Sequence, residues 1–355
     1  MASAGFTDKL INIEPYIPGE QSASPGLIKL NTNENPFPPS PAVSAAIARV
    51  SGDELARYPA PDADKLCGAL AEYYGVARER VFAANGSDEV LAFAFRAFFN
   101  AELPVLFADV TYTFYPVWCR LFGIPYGEVP LTADFRIDAG GYLRENGGIV
   151  ISNPNAPTSL AEDSSLIESI VRRNQGSVVI IDEAYAEFGA QSALPLTEKY
   201  ENLLVTRTFS KSRALAGLRI GYAIGSTKLI DTLATVKNAF NSYTLDHVAI
   251  AAGVASLADD AYYRAKIEEL TAIRDTYAEL LRGLGFEVLP GKTNFLFIRH
   301  PDINAADLSA YLAEKNILVR HFKTPRIEEY LRVTVGTEGQ MRAFTDAVRA
   351  YRGIL

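Results

Sequence analysis

The sequence predicts an α/β protein: a large domain on a mostly parallel sheet flanked by helices, followed by a smaller α+β domain. Three observations carry that expectation. Through the middle of the chain, runs with helical spacing alternate with short apolar runs bounded by turn residues. Val178, Val179, Ile180 and Ile181 are continuously apolar, which suits a strand covered on both faces. Beyond about residue 245 the texture changes to a long helical pattern followed by short strands.

Taken in order, 13–40 is rich in Pro, Asn and Gly and reads as an extended arm that packs on something else. Helices are expected over 41–50, 62–74, 88–99, 112–123 and 164–174, and strands over 81–84, 105–108, 148–152, 178–182, 203–208 and 219–223. One helical run then spans 246–284. It leads into strands over 286–289, 294–298, 317–319 and 330–335 and helices over 305–315 and 339–351. The expected division is an arm over 1–40, a large domain over 41–250 and a small one over 251–355. No Gly/Ser-rich linker marks the boundary, so the domains are expected to pack together.

With 355 residues, 48% of them hydrophobic, the chain can bury a large core without disulfides. Its two cysteines, Cys67 and Cys119, make a reducing cytoplasm the expected compartment. The opening ten residues show neither a basic leader nor an apolar run, and no segment reaches the roughly 18 apolar residues of a membrane span. Neither export nor a membrane partner is expected. A net charge of -8, from 34 Lys and Arg against 42 Asp and Glu, argues against a nucleic-acid partner. Arg320, His321, Lys323, Arg326 and Arg332 form a local exception, readable as a solvated rim beside Glu328 and Glu329 or as an anion-binding wall.

Several motifs fail. Gly291-Lys292-Thr293 resembles the end of a phosphate loop, but Phe286 stands where its first glycine is required. No G-x-G-x-x-G opens a helix after a strand, and no G-x-S-x-G elbow occurs. Three histidines without paired spacing give no expectation of a metal site.

One constellation survives. Asp182 ends the apolar strand, and Lys211 follows the strand 203–208, so both fall at carboxyl ends of parallel strands, where open α/β sheets bind ligands. A lysine and an aspartate there suit pyridoxal phosphate, which needs an amine to bond its aldehyde carbon and a carboxylate opposite its ring nitrogen. Taken alone they read equally as a surface lysine and a helix cap. Phosphate handling strengthens the cofactor reading. Asn85-Gly86-Ser87-Asp88 joins a strand to a helix start, Thr208 and Ser210 offer hydroxyls, and Arg219 offers a guanidinium.

These residues resemble the fold type I pyridoxal-phosphate aminotransferases and, within them, the histidinol-phosphate aminotransferases. The resemblance runs from Leu30-Asn31-Thr32-Asn33-Glu34-Asn35-Pro36 through Arg57-Tyr58-Pro59, Asn85 to Glu89, Asn153 to Thr158, Asp182-Glu183-Ala184-Tyr185 and Ser210-Lys211 to Ala216 to Arg219 and Leu331-Arg332-Val333. It implies a pyridoxal-phosphate-dependent transferase fold and a homodimer with shared active sites, the arm packing on the small domain and on the partner.

By the resemblance, Lys211 carries the cofactor and shuttles a proton, and Asp182 keeps the pyridine nitrogen protonated. Tyr185 and Asn155 contact the ring oxygen, and Tyr112 stacks on the ring. Gly86, Ser87, Asp88, Thr208, Ser210 and Arg219 surround the phosphate, joined by Tyr58 of the partner subunit. Arg332 clamps a carboxylate, Arg320 assists with anions of both substrates, Asn33 closes over the site, and Tyr16 reaches substrate across the dimer. Two departures stand out: Ala156 precedes Pro157-Thr158 where many relatives carry asparagine, and Ser159 stands where glycine is usual.

The implied reaction is transamination between L-histidinol phosphate and 2-oxoglutarate, giving imidazole acetol phosphate and glutamate in histidine biosynthesis. An aromatic amino-acid aminotransferase of the same fold and a phosphothreonine-type decarboxylase remain as alternatives. A non-enzymatic regulator would need a DNA-binding helix pair, for which the stretch before Leu30 is expected to leave no room.

Overall fold

A seven-stranded and a five-stranded sheet organise the chain. The computed structural model describes residues 11–17, 19–21, 25–351 and 353; the first ten residues, on which the expectation about a leader falls, lie outside the described residues. In chain order the strands are β1 (Ile28–Leu30), β2 (Val81–Asn85), β3 (Val105–Ala108), β4 (Tyr126–Val129), β5 (Gly148–Ser152) and β6 (Val179–Asp182). Then follow β7 (Leu203–Thr208), β8 (Ile220–Ile224), β9 (Glu287–Val288), β10 (Phe295–Arg299), β11 (Ile317–His321) and β12 (Leu331–Thr334).

The large sheet runs β2-β8-β7-β6-β5-β3-β4. Its members pair in parallel from β4 to β7, and β8 alone runs antiparallel to both neighbours. The apolar run around residue 180 is explained by burial on both faces. Ile180 joins Val150 and Leu204 in a core with Phe95 and Trp118 from helices Gly86–Phe98 and Tyr115–Phe122, whereas Ile181 joins Ile151 and Val205 under helix Ser164–Arg173.

The small sheet runs β1-β11-β12-β10-β9, and helices Asp260–Gly283, Ala305–Glu314 and Glu338–Tyr351 share its core. Tyr185 and Phe188, which follow β6, belong to that same core, so the two sheets are packed against one another. The arm contributes β1, which pairs in parallel with β11 in the register Ile28↔Ile317 to Leu30↔Val319.

Four features differ from the sequence expectation. The helical run 246–284 is two helices, His247–Ala258 and Asp260–Gly283, because Asp259 leaves the helical region at ψ 43°. The helix expected from residue 112 begins at Tyr115, where Pro116 fixes the first turn. Strands β1 and β4 are three and four residues long, too short for periodicity to show. Helix Thr227–Phe240 had no counterpart in the sequence reading. Among the described residues no helix is long and apolar enough to cross a membrane.

Candidate active site

Asp182 is the last residue of β6 and Lys211 lies three residues past the end of β7, its parallel neighbour. Both line one cavity of about 530 Å³. Asp182 is buried, accepting a hydrogen bond from the Tyr115 hydroxyl at 2.9 Å and one from the Ala184 amide at 3.3 Å. Burial outweighs these bonds and pushes its carboxyl up to about 6. A carboxylate held at such a cost is well suited to a cationic partner.

Lys211 is fixed through its backbone, since Asn35 Nδ2 donates to its carbonyl at 2.9 Å. Its Nζ lies 5.8 Å from the centre of the Tyr185 ring and has no hydrogen-bond partner among the described residues. Burial, aided by the Arg332 charge, draws the ammonium down to about 8. A buried, weakly basic amine of this kind is a nucleophile near neutral pH.

Beside them stands an anion cradle. Gly86, at φ +82°, opens helix Gly86–Phe98, whose first turn presents free N–H groups and the positive end of the helix dipole. Arg219, itself left-handed at φ +51°, donates to Ser210 Oγ at 3.4 Å and to the Ala216 carbonyl at 3.3 Å. Its Nη2 pairs with Asp88 at 3.2 Å, and Asp88 in turn accepts from the Tyr112 hydroxyl at 2.9 Å. The cradle depends on two glycines. A Cβ at Gly86 would lie 2.5 Å from Arg219 Nη2, and one at Gly221 would overlap the Gly86–Ser87 peptide. Thr208 donates to Ser210 Oγ at 2.9 Å and, like Ser87, lines the cavity.

A second cationic group comes from the small sheet. Arg320 on β11 and Arg332 on β12 are register partners, and both line the cavity. The Arg332 guanidinium is flanked by the Phe295 and Phe322 rings at 5.4 and 5.6 Å and donates to the Asn31 carbonyl at 2.9 Å, leaving a buried Nε without a partner among the described residues. Burial pulls its pKa below the usual arginine value. The rest of the basic cluster divides: Arg326 pairs with Asp109, and His321 Nε2 meets the Glu328 carbonyl at 2.8 Å.

Of the residues expected from sequence, the structure brings together at this cavity Lys211, Asp182, Tyr185, Ser87, Asp88, Tyr112, Thr208, Ser210, Arg219, Asn33, Arg320, Arg332 and Tyr16. Tyr16 stacks on Phe114 of its own chain at 4.8 Å, so here it reaches the site without crossing to a partner. Asn155 is not brought in. Its amide donates to the Val110 carbonyl and Thr158 Oγ1 and accepts from Thr111, and Ala156 lines the cavity in its stead. Tyr58 is 79% exposed and stacks on Tyr243 at 4.4 Å, away from its own chain's cavity. Two functional neighbours were missed. Tyr115, the partner of Asp182, lies 67 positions away in sequence, and Thr334, the partner of Asn33, lies 301 away. Neither sits in a motif that would flag it.

The donor set fits pyridoxal phosphate on three counts: an amine without a partner, a buried carboxylate at the adjacent strand end, and a cradle for a phosphate that a Cβ on Gly86 would fill. Fold and site together define a pyridoxal-phosphate-dependent transferase of fold type I. The family model described as aminotransferase class I and II matches residues 25–348, and the chain belongs to that family. It is 51% identical over 346 residues to histidinol-phosphate aminotransferase 2 of Dechloromonas aromatica, covering 96% of this chain and 97% of the relative. The histidinol-phosphate aminotransferase of Sinorhizobium meliloti, solved with pyridoxal-5'-phosphate, shares the fold at TM-score 0.83 and 23% identity over 92% of this chain and 91% of that one. So does an L-threonine-O-3-phosphate decarboxylase from Porphyromonas gingivalis, at TM-score 0.80 and 22% identity over 92% and 100% of the two chains. The fold by itself therefore does not choose between transamination and decarboxylation.

Proposed function

We propose that the protein transfers the amino group of L-histidinol phosphate to 2-oxoglutarate, forming imidazole acetol phosphate and glutamate, a step of histidine biosynthesis. The observation that carries this reading is a pair of cationic groups around one buried lysine. Arg219 stands at the cradle, while Arg320 and Arg332 stand on the small sheet and line the same cavity, where guanidinium groups suit a substrate phosphate or a carboxylate. Relatives about half identical over nearly the whole chain carry the same activity in their names.

Pyridoxal phosphate, when bound, supplies an electron sink for the carbon that bears the substrate amine. Lys211 would hold it and would move the proton at that carbon; its lowered basicity keeps part of it neutral at physiological pH. Asp182, ionised above about 6, holds positive charge on the ring nitrogen. Tyr185 would donate to the ring oxygen and Tyr112, which lines the same cavity, would pack on the ring. Gly86, Ser87, Thr208, Ser210 and Arg219 take the phosphate, with Asp88 keeping Arg219 in place. With Asn155 committed to its own loop, the ring oxygen is left to Tyr185 on this side.

Tyr58 completes the phosphate site from a second copy of the chain. Its exposure, with Leu55 60% and Phe240 83% exposed nearby in sequence or on the segment that carries its stacking partner Tyr243, supports a homodimer with shared sites. Two buried free thiols, Cys67 and Cys119, support a cytoplasmic setting.

The test is glutamate formation by the purified, cofactor-loaded protein from 2-oxoglutarate with L-histidinol phosphate or L-phenylalanine as donor. A higher kcat/KM for histidinol phosphate is expected. Preference for phenylalanine would move the assignment to an aromatic aminotransferase, and carbon dioxide release without glutamate would move it to a decarboxylase.

A further inference from the structure

Thr334, Asn33 and Tyr185 form a buried hydrogen-bonded chain. Thr334 Oγ1 accepts the Asn33 backbone N–H at 2.9 Å and lies 3.1 Å from Asn33 Oδ1. A hydroxyl has one hydrogen, so Thr334 must donate it to Oδ1. That places the Asn33 amide nitrogen on the opposite side, where it donates to the Tyr185 hydroxyl at 2.9 Å. The Tyr185 oxygen is thereby an acceptor, and its own proton has no acceptor among the described residues. Thr334 and Asn33 are each 2% exposed, so water does not compete for these bonds.

Were the amide turned over, the Thr334 proton would lose its Oδ1 acceptor, and Oδ1 would draw the tyrosine proton away from the cavity. We propose that Thr334 is a positioning residue for the reaction: through Asn33 it turns the Tyr185 O–H toward the cavity, where it donates to the cofactor's ring oxygen. Asn33 then acts on Tyr185 and not on substrate. The chain also joins the two halves of the site, because Thr334 lies two residues beyond Arg332 on β12 and so on the same face of the strand. Its anchoring is local. Asn33 holds the left-handed φ +56° that asparagine tolerates, and its carbonyl accepts from Asn294 at 3.0 Å. The inference rests on the reading of Tyr185 as the ring-oxygen donor.

The test is a spectral titration of the pyridoxal-phosphate-loaded protein, following the visible band of the Lys211-bound cofactor. A donor on the ring oxygen is strongest when that oxygen's charge is not shared with a protonated Schiff-base nitrogen, so it favours the deprotonated form. Losing the donor therefore raises the midpoint. Thr334→Val, which keeps shape and removes the hydroxyl, is expected to raise it by about half a unit to one unit. Tyr185→Phe is expected to raise it at least as far, the double variant no further, and Thr334→Ser to restore it. The other charges facing Tyr185, from Arg332, Asp182 and Asp88, are the same in all four proteins. If Thr334→Val fails to fold, Asn33→Gly tests the same point: it tolerates the left-handed backbone, removes the amide donor without adding a charge, and should also raise the midpoint. A shift in Tyr185→Phe with none in the Thr334 or Asn33 variants overturns the chain alone. No shift in Tyr185→Phe overturns the role of Tyr185 and the chain with it.

Discussion

The Arg219 guanidinium is held at 3.2 Å by Asp88, so the main cation of the anion cradle is already paired within the described structure. A phosphate must share that cation with a carboxylate, and the helix start at Gly86 has to supply the rest of the attraction. Arg219→Ala is expected to weaken pyridoxal-phosphate binding to the cofactor-free protein by about 10- to 100-fold, the usual range for losing charge-assisted hydrogen bonds. Gly86→Ala should weaken it as well, because the added methyl meets Nη2 at 2.5 Å in a backbone already at φ +82°. Fluorescence titration of the two apoproteins checks both; unchanged affinity in Arg219→Ala would remove it from the phosphate site.

Lys211 sets a pH dependence for cofactor capture. Its folded pKa, drawn down to about 8, lies below the ordinary lysine value, so only the neutral fraction below that point can attack an aldehyde. The second-order rate of pyridoxal-phosphate capture by the apoprotein is expected to rise about tenfold per pH unit below about 8 and then level off. Burial is the first cause of the shift and the Arg332 charge the second, so Arg332→Gln should move the midpoint upward. Stopped-flow absorbance across pH 6 to 10 reads both curves, the range being on the order of two units either side of the midpoint.

Asp182 trades stability for charge. Its carboxyl is raised to about 6 in the folded apoprotein against 3.8 ordinarily. A raised folded pKa gives a contribution that is fully present below the unfolded pKa and is lost as pH climbs through about 6. The stability lost between low pH and pH near 7 is therefore on the order of 3 kcal/mol. Asp182→Asn keeps the shape and the Tyr115 contact without the charge. The apo variant is expected to melt higher than the parent above about pH 6 and to converge with it as pH falls. Its transamination rate should fall by orders of magnitude, since nothing then holds charge on the ring nitrogen. Calorimetry of both apoproteins, with kcat beside it, separates the two effects.

What the sequence displayed follows from how local each signal is. Asp182 ends the apolar strand β6, Lys211 follows β7, and Gly86 stands between a strand and a helix, so their neighbours along the chain announce them. Tyr115 and Thr334 could not be found that way, because what gives them meaning is a partner on another element. Asn155 illustrates the reverse error. It stands inside a recognisable motif, yet its amide is consumed by Val110 and Thr158, and only the packed loop reveals that. Strand β1 escaped notice because three residues carry no period, and its place is set by pairing with β11 near the far end of the chain. Tyr58, exposed and stacked on Tyr243, would acquire its role only from a second copy.

Ser159, the second departure from the aminotransferase pattern, is accommodated by Gly291. Ser159 adopts φ +68° while fully buried, and its hydroxyl bonds Thr293 Oγ1 at 2.5 Å and the Phe295 carbonyl at 3.2 Å. That hydroxyl fills the space a side chain at Gly291 would need: a Cβ there would overlap Ser159 Oγ and lie 2.8 Å from its Cβ. The contact ties the loop after Ala156 to the segment leading into β10, and so ties the cavity wall of the large sheet to the small sheet. Gly291→Ala should destabilise the protein by about 2 to 4 kcal/mol, as overpacking against a buried partner does. Ser159→Gly relieves the left-handed backbone but forfeits two buried hydrogen bonds, so alone it should change stability by no more than about 1 kcal/mol. Combining them removes the overlap, and the double variant should recover at least half of the loss caused by Gly291→Ala. Denaturant midpoints for the four proteins give the coupling directly; additive effects would mean that the two positions do not share this space.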